Sequence, residues 1–209
     1  MAAACVMFYV EINTSIYKQG FVSLCSLIFL GVSLDVHWMV IWVITGRDYD
    51  IDHYFYLSKF CQEWSYKEVH SDELSFCITE ADDCDVFCSV LEAGKTANGI
   101  LVSSIVFTII ALFFAVGVVF IAKRGVILLI DLISFGVFGL LSFALTIAGM
   151  SVEQPALVDL RVNKYKETDY IKYMDFDGPG FYLALVATIF QFFELVLFYS
   201  LILPKRCKT

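Results

Sequence analysis

Residues 99–122 read GILVSSIVFTIIALFFAVGVVFIA, a run without one charged side chain, and Lys123 and Arg124 follow it at once. At about 1.5 Å per helical residue such a run crosses roughly 30 Å of hydrocarbon. Lipid offers no partner to a backbone N–H or C=O, so a run of this kind spans as a helix. Two further stretches match it. Residues 125–150 hold only Asp131 among charged side chains, and residues 180–203 hold only Glu194. The whole chain agrees. Its 209 residues are 59% hydrophobic and 17% charged, with a mean hydropathy of +0.77. A soluble domain of this length carries charge along most of its sequence.

A fourth apolar run begins at Phe21 and continues to Gly46, interrupted by Asp35 and His37. Either the whole run lies in lipid with Asp35 and His37 as an intramembrane pair, or the helix ends near Ser33. An ionised Asp at the bilayer centre costs about 2.5–3.5 kcal/mol. The second reading is preferred. It gives a span over about 15–34 and leaves His37 to Thr45, rich in β-branched and aromatic residues, as a strand stopped by Gly46. Residues 1–10 have no basic leader and no small-residue cleavage pattern, so the first span is expected to act as an uncleaved anchor.

The expected domain is therefore a single one over 1–209. Its spans are about 15–34, 99–122, 126–150 and 181–203, with long connections at about 35–98 and 151–180. Charge orients them. Lys18, Lys123, Arg124, Lys205, Arg206 and Lys208 all fall on one side of a four-span chain, which is then cytoplasmic by the positive-inside rule. The other side is acidic. Residues 47–98 hold twelve acids against four bases, and residues 151–179 six against four. Both termini are expected in the cytoplasm of a multi-pass plasma-membrane protein. Asn13-Thr14-Ser15 fits a glycosylation sequon, which this orientation leaves unused.

Four of the seven cysteines, Cys61, Cys77, Cys84 and Cys88, lie in the first long connection. An exoplasmic loop permits disulfides, and four cysteines allow three pairings, all open here. Zinc on Cys77 to Cys88 with His70 is the rival; the flanking acids and the lack of a Cys-x-x-Cys repeat count against it. The same connection carries strand signals at 37–45 and Ile51–Leu57, with Gly46 to Asp50 as the turn, and a third at Phe76–Thr79. A sheet that small lacks an adequate core, and disulfides would tie it together.

Trp38 stands just past the first span, and Tyr56-Leu57-Ser58-Lys59-Phe60-Cys61 follows. In these residues the chain resembles the claudin-like superfamily. That group includes claudins, peripheral myelin proteins, gamma-type channel and receptor subunits and amastins. Its motif is a Trp after the first span, then Gly-Leu-Trp-x-x-Cys and a second Cys. Trp38, Leu57 and Cys61 match; Tyr56 and Ser58 replace Gly and Trp, and Cys77 stands as the second Cys at a longer spacing. The loop order (long, very short, medium) and Gly178-Pro179-Gly180-Phe181 at the start of span four are similar to amastins. The resemblance implies an all-α membrane protein, a four-transmembrane-helix bundle with a small extracellular antiparallel sheet from the first outer loop. It implies a non-enzymatic protein acting by lateral or trans association in a junction, barrier or surface structure. The alternative is an auxiliary subunit that binds and modulates a larger membrane channel or receptor.

The remaining chemistry is sparse. The three histidines stand beside no nucleophile motif, and no phosphate-binding, zinc-protease or dinucleotide signature occurs. No enzyme, cofactor or metal site is expected, and an acidic outer surface argues against nucleic acid. The expected partners are the lipid bilayer, a second copy or a larger membrane protein. Glu194, near the middle of its span, must face protein. It serves a partner or ion contact, or a bundle hydrogen bond to Ser104, Ser134 or Ser142; the bundle bond is the plainer reading. Asp131, a turn or two from Lys123 and Arg124, reads as interfacial. Gly136, Gly139, Ala144 and Gly149 permit close helix packing. The acidic run with Glu80, Asp82, Asp83 and Asp85 reads as a solvated loop tip. A cation-attracting field or weak calcium binding is its functional alternative.

Overall fold

The computed structural model describes residues 2–44, 49–57, 59–66, 74–78, 88–121, 125–159, 171–175 and 178–197. The chain is mostly helical. Its four helices are α1 (Ala2–Asp35), α2 (Cys88–Ile121), α3 (Gly125–Asp159) and α4 (Pro179–Leu197). Among the described residues three helical stretches are long and apolar enough to cross a membrane: Val90–Ala115, Ile133–Val152 and Pro179–Leu197. The described apolar part of α1, Gly20–Asp35, is shorter. A fourth span at 15–34 thus rests partly on residues whose side chains lie outside the described set. Helix α2 starts at Cys88 rather than 99. Its first turns bury Val90, Leu91, Gly94 and Ala97 and expose Glu92, Lys95 and Thr96, a helical period that the polar composition hides.

Five strands lie between the helices: β1 (Met39–Ile44), β2 (Tyr49–Phe55), β3 (Phe60–Tyr66), β4 (Leu74–Ile78) and β5 (Ile171–Asp175). They form one antiparallel sheet in the order β4-β3-β2-β1-β5. The first long connection therefore supplies four strands, and the connection between α3 and α4 supplies the fifth. That fifth strand corrects the expectation of a sheet drawn from the first loop alone. Strand β3 was also not expected; Gln62 and Glu63 interrupt its apolar residues. The first strand starts at Met39, not His37. The carbonyls of His37 and Trp38 accept instead from the backbone N–H groups of Gly180 (3.1 Å) and Gly178 (2.8 Å). Tyr49 and Asp50, expected in the turn, are paired in β2.

The chain divides into two compact units, each drawing on segments of several helices. The first comprises Met1–Leu30, Val102–Thr146 and Leu185–Thr209; the second comprises Gly31–Leu101 and Ile147–Ala184. In the first unit the outward positions are large and apolar. Phe113 is 80% exposed and Phe21 66%, with Ile130, Phe192 and Phe193 each more than half exposed. The inward positions are small or polar. Ser23, Ser26, Ser104, Thr108, Ser142, Thr146, Gln191 and Glu194 are all buried, among Ala111, Ala115 and Ala187. A protein folded in water sorts its residues the other way.

One buried position recurs every three or four residues along each helix, with Gly136 and Leu195 buried beside it. The recurring positions are Ser23, Ser26 and Leu30 on α1, Ser104, Thr108, Ala111 and Ala115 on α2, Phe135, Gly139, Ser142 and Thr146 on α3, and Ala187, Gln191 and Glu194 on α4. Such a seam suits helices that cross at a shallow left-handed angle, and small residues on it let backbones approach. Stacked rings fasten the helix pairs further out: Phe29 on Phe190, and Phe107 and Phe114 on Phe138.

Candidate functional site

The inner seam of the first unit concentrates its polar chemistry. The hydroxyls of Ser104 and Ser142 are 2.9 Å apart, and each also donates to the other residue's carbonyl, at 2.9 and 3.0 Å. Thr108 and Thr146 bond back to the carbonyls one turn before them on their own helices, at 2.9 and 3.0 Å. They also reach across, Thr108 to Ser142 at 2.6 Å and Thr146 to Ser104 at 2.7 Å. Helices α2 and α3 are thus joined by four hydroxyls. Gln191 on α4 closes the cluster. Its amide nitrogen donates to Ser142 Oγ at 2.9 Å and to Ser104 Oγ at 3.5 Å. Helix α1 joins α4 separately. Ser26 donates to the Ala187 carbonyl at 3.3 Å, and the Ser23 side chain hydrogen-bonds the Glu194 carboxyl.

Three buried acceptor atoms in this unit have no hydrogen-bond partner: Gln191 Oε1, Glu194 Oε1 and Asp131 Oδ2. All three are oxygens. Every hydroxyl proton of the Ser104–Thr108–Ser142–Thr146 cluster has a carbonyl within reach, and Gln191 has spent its amide protons on hydroxyls. The cluster therefore ends in bare acceptors. Gln191 and Glu194 are three residues apart, neighbours on one face of α4.

The second unit is organised around Trp38. Its ring is fully buried. Its Nε1 donates to the Ser33 carbonyl at 2.8 Å, one of the carbonyls left open at the end of α1. Its backbone N–H donates to Phe55 at 2.7 Å, and Phe181 meets the ring edge-on at 6.1 Å. Gly178 and Gly180 at the start of α4 make room for it. A Cβ on Gly178 would stand 2.7 Å from the His37 carbonyl oxygen and from Trp38 C, and one on Gly180 would run into Trp38 Cδ1. Leu57 is fully buried, with its backbone against Gly94 of α2, and Cys61 is buried and disulfide-bonded to Cys77, its direct partner across β3 and β4. Trp38, Leu57 and Cys61, spaced along the sequence, all belong to the packing of this unit.

Other expected residues fall elsewhere. Cys84, Glu80, Asp82, Asp83 and Asp85 lie outside the described residues, as does the side chain of Cys88. Asp131 is half-buried between the exposed Ile130 and Ile133. The carboxyl of Glu194 takes its hydrogen bond from Ser23, where Ser104, Ser134 or Ser142 had been expected. Sequence reasoning missed Gln191 and the Ser23, Ser26, Thr108 and Thr146 hydroxyls. Their signal was available: polar residues at three- and four-residue steps inside otherwise apolar helices. Among the described residues no group of three His, Cys, Asp or Glu side chains is placed to hold a metal ion.

No family model matches this chain, and no curated protein matches it.

Proposed function

We propose that this chain is a non-enzymatic integral membrane protein of claudin-like architecture, acting by lateral or trans association through its two outer loops. The observation that carries the reading is the pairing of β1 with β5. It brings together the α1–α2 and the α3–α4 connections. If both lie on one side of a bilayer, α2 and α3 cross it out and back, with Lys123 and Arg124 at the far turn. Basic residues favour the cytoplasmic side of short turns, and the Cys61–Cys77 bond suits an oxidising compartment. Together these support an exoplasmic sheet, cytoplasmic termini and four crossings. The large apolar outward residues of the first unit support lipid as its solvent.

Function then resides in the outer surface. A sheet stitched from two connections offers a fixed platform, and the acidic residues of the first connection give it a field that draws cations. Expression in cells that lack the protein tests the reading. Accumulation of the tagged chain at contacts between two expressing cells is the expected result. Uniform surface distribution, with co-purification of a larger pore protein in fixed ratio, would instead establish the auxiliary-subunit alternative. Orientation is tested separately by impermeant thiol labelling after reduction. Cys77, exposed in the sheet, is expected to react from outside intact cells.

A further inference from the structure

We propose that Gln191 and Glu194 form a binding site for one small monovalent metal cation, of the Na⁺ class, in the interior of the helical unit. The inference needs these helices to lie in lipid, but not that the loops associate. Both residues are at least 97% buried, Gln191 with 2% and Glu194 with 3% of its surface exposed. Each turns one oxygen, Oε1, into the interior with no donor to meet it. Leaving a buried acceptor unmet costs about 1–3 kcal/mol, and more when the group is charged. Two such atoms on neighbouring positions of one helix face are explained together by one cation between them.

The surroundings specify the charge and hardness of that cation. The ligands are oxygens, an amide carbonyl and a carboxylate, which suit hard cations. A single carboxylate provides one negative charge. A monovalent ion leaves the site neutral, whereas a divalent ion leaves a net positive charge in an apolar medium, where unpaired charge is costly. The hydroxyl cluster holds the amide in place. Because Gln191 donates to Ser142 and Ser104, its nitrogen is fixed toward α2 and α3 and its oxygen is left for the ion. Ser23 holds the carboxyl from the α1 side. Gly139 of α3 keeps the space beside the carboxylate free of a side chain; a Cβ there would stand 3.8 Å from Glu194 Oε1. Among the residues of this unit whose side chains are described, the other charged groups are Asp131 on α3 and the exposed Lys18 on α1.

The test uses the full chain in phosphatidylcholine nanodiscs. Retention of ²²Na⁺ is measured by equilibrium dialysis, and dicyclohexylcarbodiimide modification of the Glu194 peptide is followed by mass spectrometry in NaCl and in choline chloride of equal ionic strength, at one pH. The expected result is saturable ²²Na⁺ retention that Glu194→Gln abolishes. Glu194 modification is expected to slow about tenfold when Na⁺ stands at ten times its dissociation constant, by simple mass action. Gly139→Ala, which introduces only ordinary contacts, is expected to fold and to bind Na⁺ more weakly. Absence of saturable retention by the unsubstituted protein overturns the proposal, as does equal modification in the two salts. Equal Na⁺ affinity in folded Gly139→Ala counts against it even if Glu194→Gln fails to fold. Because all readouts use the isolated chain, their failure leaves the association reading standing, and failure of association leaves this site standing.

Discussion

The two units hold their helices by opposite means. In the first, the interior is a ladder of hydroxyls and one amide, with small residues between them and the large side chains turned outward. In the second, the interior is filled by bulky side chains, Trp38, Met39, Phe55 and Leu57, with the Trp38 ring seated at Gly180. The difference follows from the solvent each is suited to. Where lipid surrounds a helix, burying apolar surface yields little, because the tails are as apolar as the interior, and close packing and hydrogen bonds do the work. Where water surrounds a sheet, burying aromatic area is the dominant favourable term. Removing a large side chain should therefore hurt the second unit far more than removing a polar one hurts the first.

The largest effect is expected at Trp38. Trp38→Ala leaves a cavity between β1, the end of α1 and the start of α4 and strips a donor from the Ser33 carbonyl, a loss of about 3–5 kcal/mol. Thermal unfolding in mild detergent and delivery to the cell surface report it; near-normal values for both would mean that the ring is not the anchor of this unit. Gly178→Ala approaches the same core from the other side. The new methyl meets the backbone of His37 and Trp38, which cannot swing aside as a side chain does, so a loss of about 1–3 kcal/mol is expected from overpacking.

Next is the disulfide. Cys61 and Cys77 close a loop with a sequence separation of 16, and in the chain-entropy account a loop of this size is worth about 3 kcal/mol. Replacing both with Ala should speed proteolysis within β3 and β4 while leaving the cleavage pattern of α2, α3 and α4 unchanged. If protection at residues 102–121 and 125–146 falls by the same factor, the first unit depends on the bond as much as the sheet does.

A smaller loss is expected in the polar ladder. Gln191→Leu removes the amide's bonds to Ser142 and Ser104, but their hydroxyls keep backbone carbonyl partners. Hydrogen bonds between membrane helices average about 0.6 kcal/mol and reach about 1–2 kcal/mol in peptide systems. Unfolding of this variant in mixed micelles is therefore expected to shift by about 1 kcal/mol. A loss matching Trp38→Ala would erase the contrast between the units.

Much of this contrast is legible in the amino-acid sequence. Uncharged runs at 99–122, 125–150 and 180–203 announce helices because length and absence of charge are properties of the segment itself. The strand signal at His37 to Thr45 is local too, carried by β-branched and aromatic residues, and the strand itself begins at Met39. What escaped depends on partners distant in sequence. Strand β5, five residues with Lys172 and Asp175 among them, has no autonomous signal and exists because β1 offers an open edge. Gln191 reads as an unremarkable polar residue between Phe190 and Phe192 until α2 and α3 bring Ser104 and Ser142 to it. Gly178 and Gly180 read as a helix-start motif. Their steric reasons, the backbone of His37 and Trp38 for Gly178 and the ring of Trp38 for Gly180, lie some 140 residues away, a separation that loop closure makes only modestly costly.

The smallest effect is the most discriminating. Gly139 lies on the inner face of α3, and a Cβ there would meet Leu195 Cδ2 at 3.7 Å and Glu194 Oε1 at 3.8 Å, both ordinary contact distances. Replacing a mid-helix Gly by Ala gains about 0.8–1 kcal/mol of intrinsic helix preference. In the polar unit, then, Gly139→Ala should leave unfolding unchanged or raise its midpoint slightly. Gly149→Ala, in the other unit, is expected to lower it. There the methyl would stand 2.8 Å from Leu101 Cγ and Cδ2, and Leu101 is itself fully buried, so it cannot turn aside into solvent. Two chemically identical substitutions on one helix should thus move stability in opposite directions. The sign is set by what each glycine faces: ordinary contact distances to Leu195 and Glu194 at Gly139, a close approach to the buried Leu101 at Gly149. Equal shifts in the two variants would mean that packing tightness is uniform along α3 and that the polar seam is no looser than the apolar one.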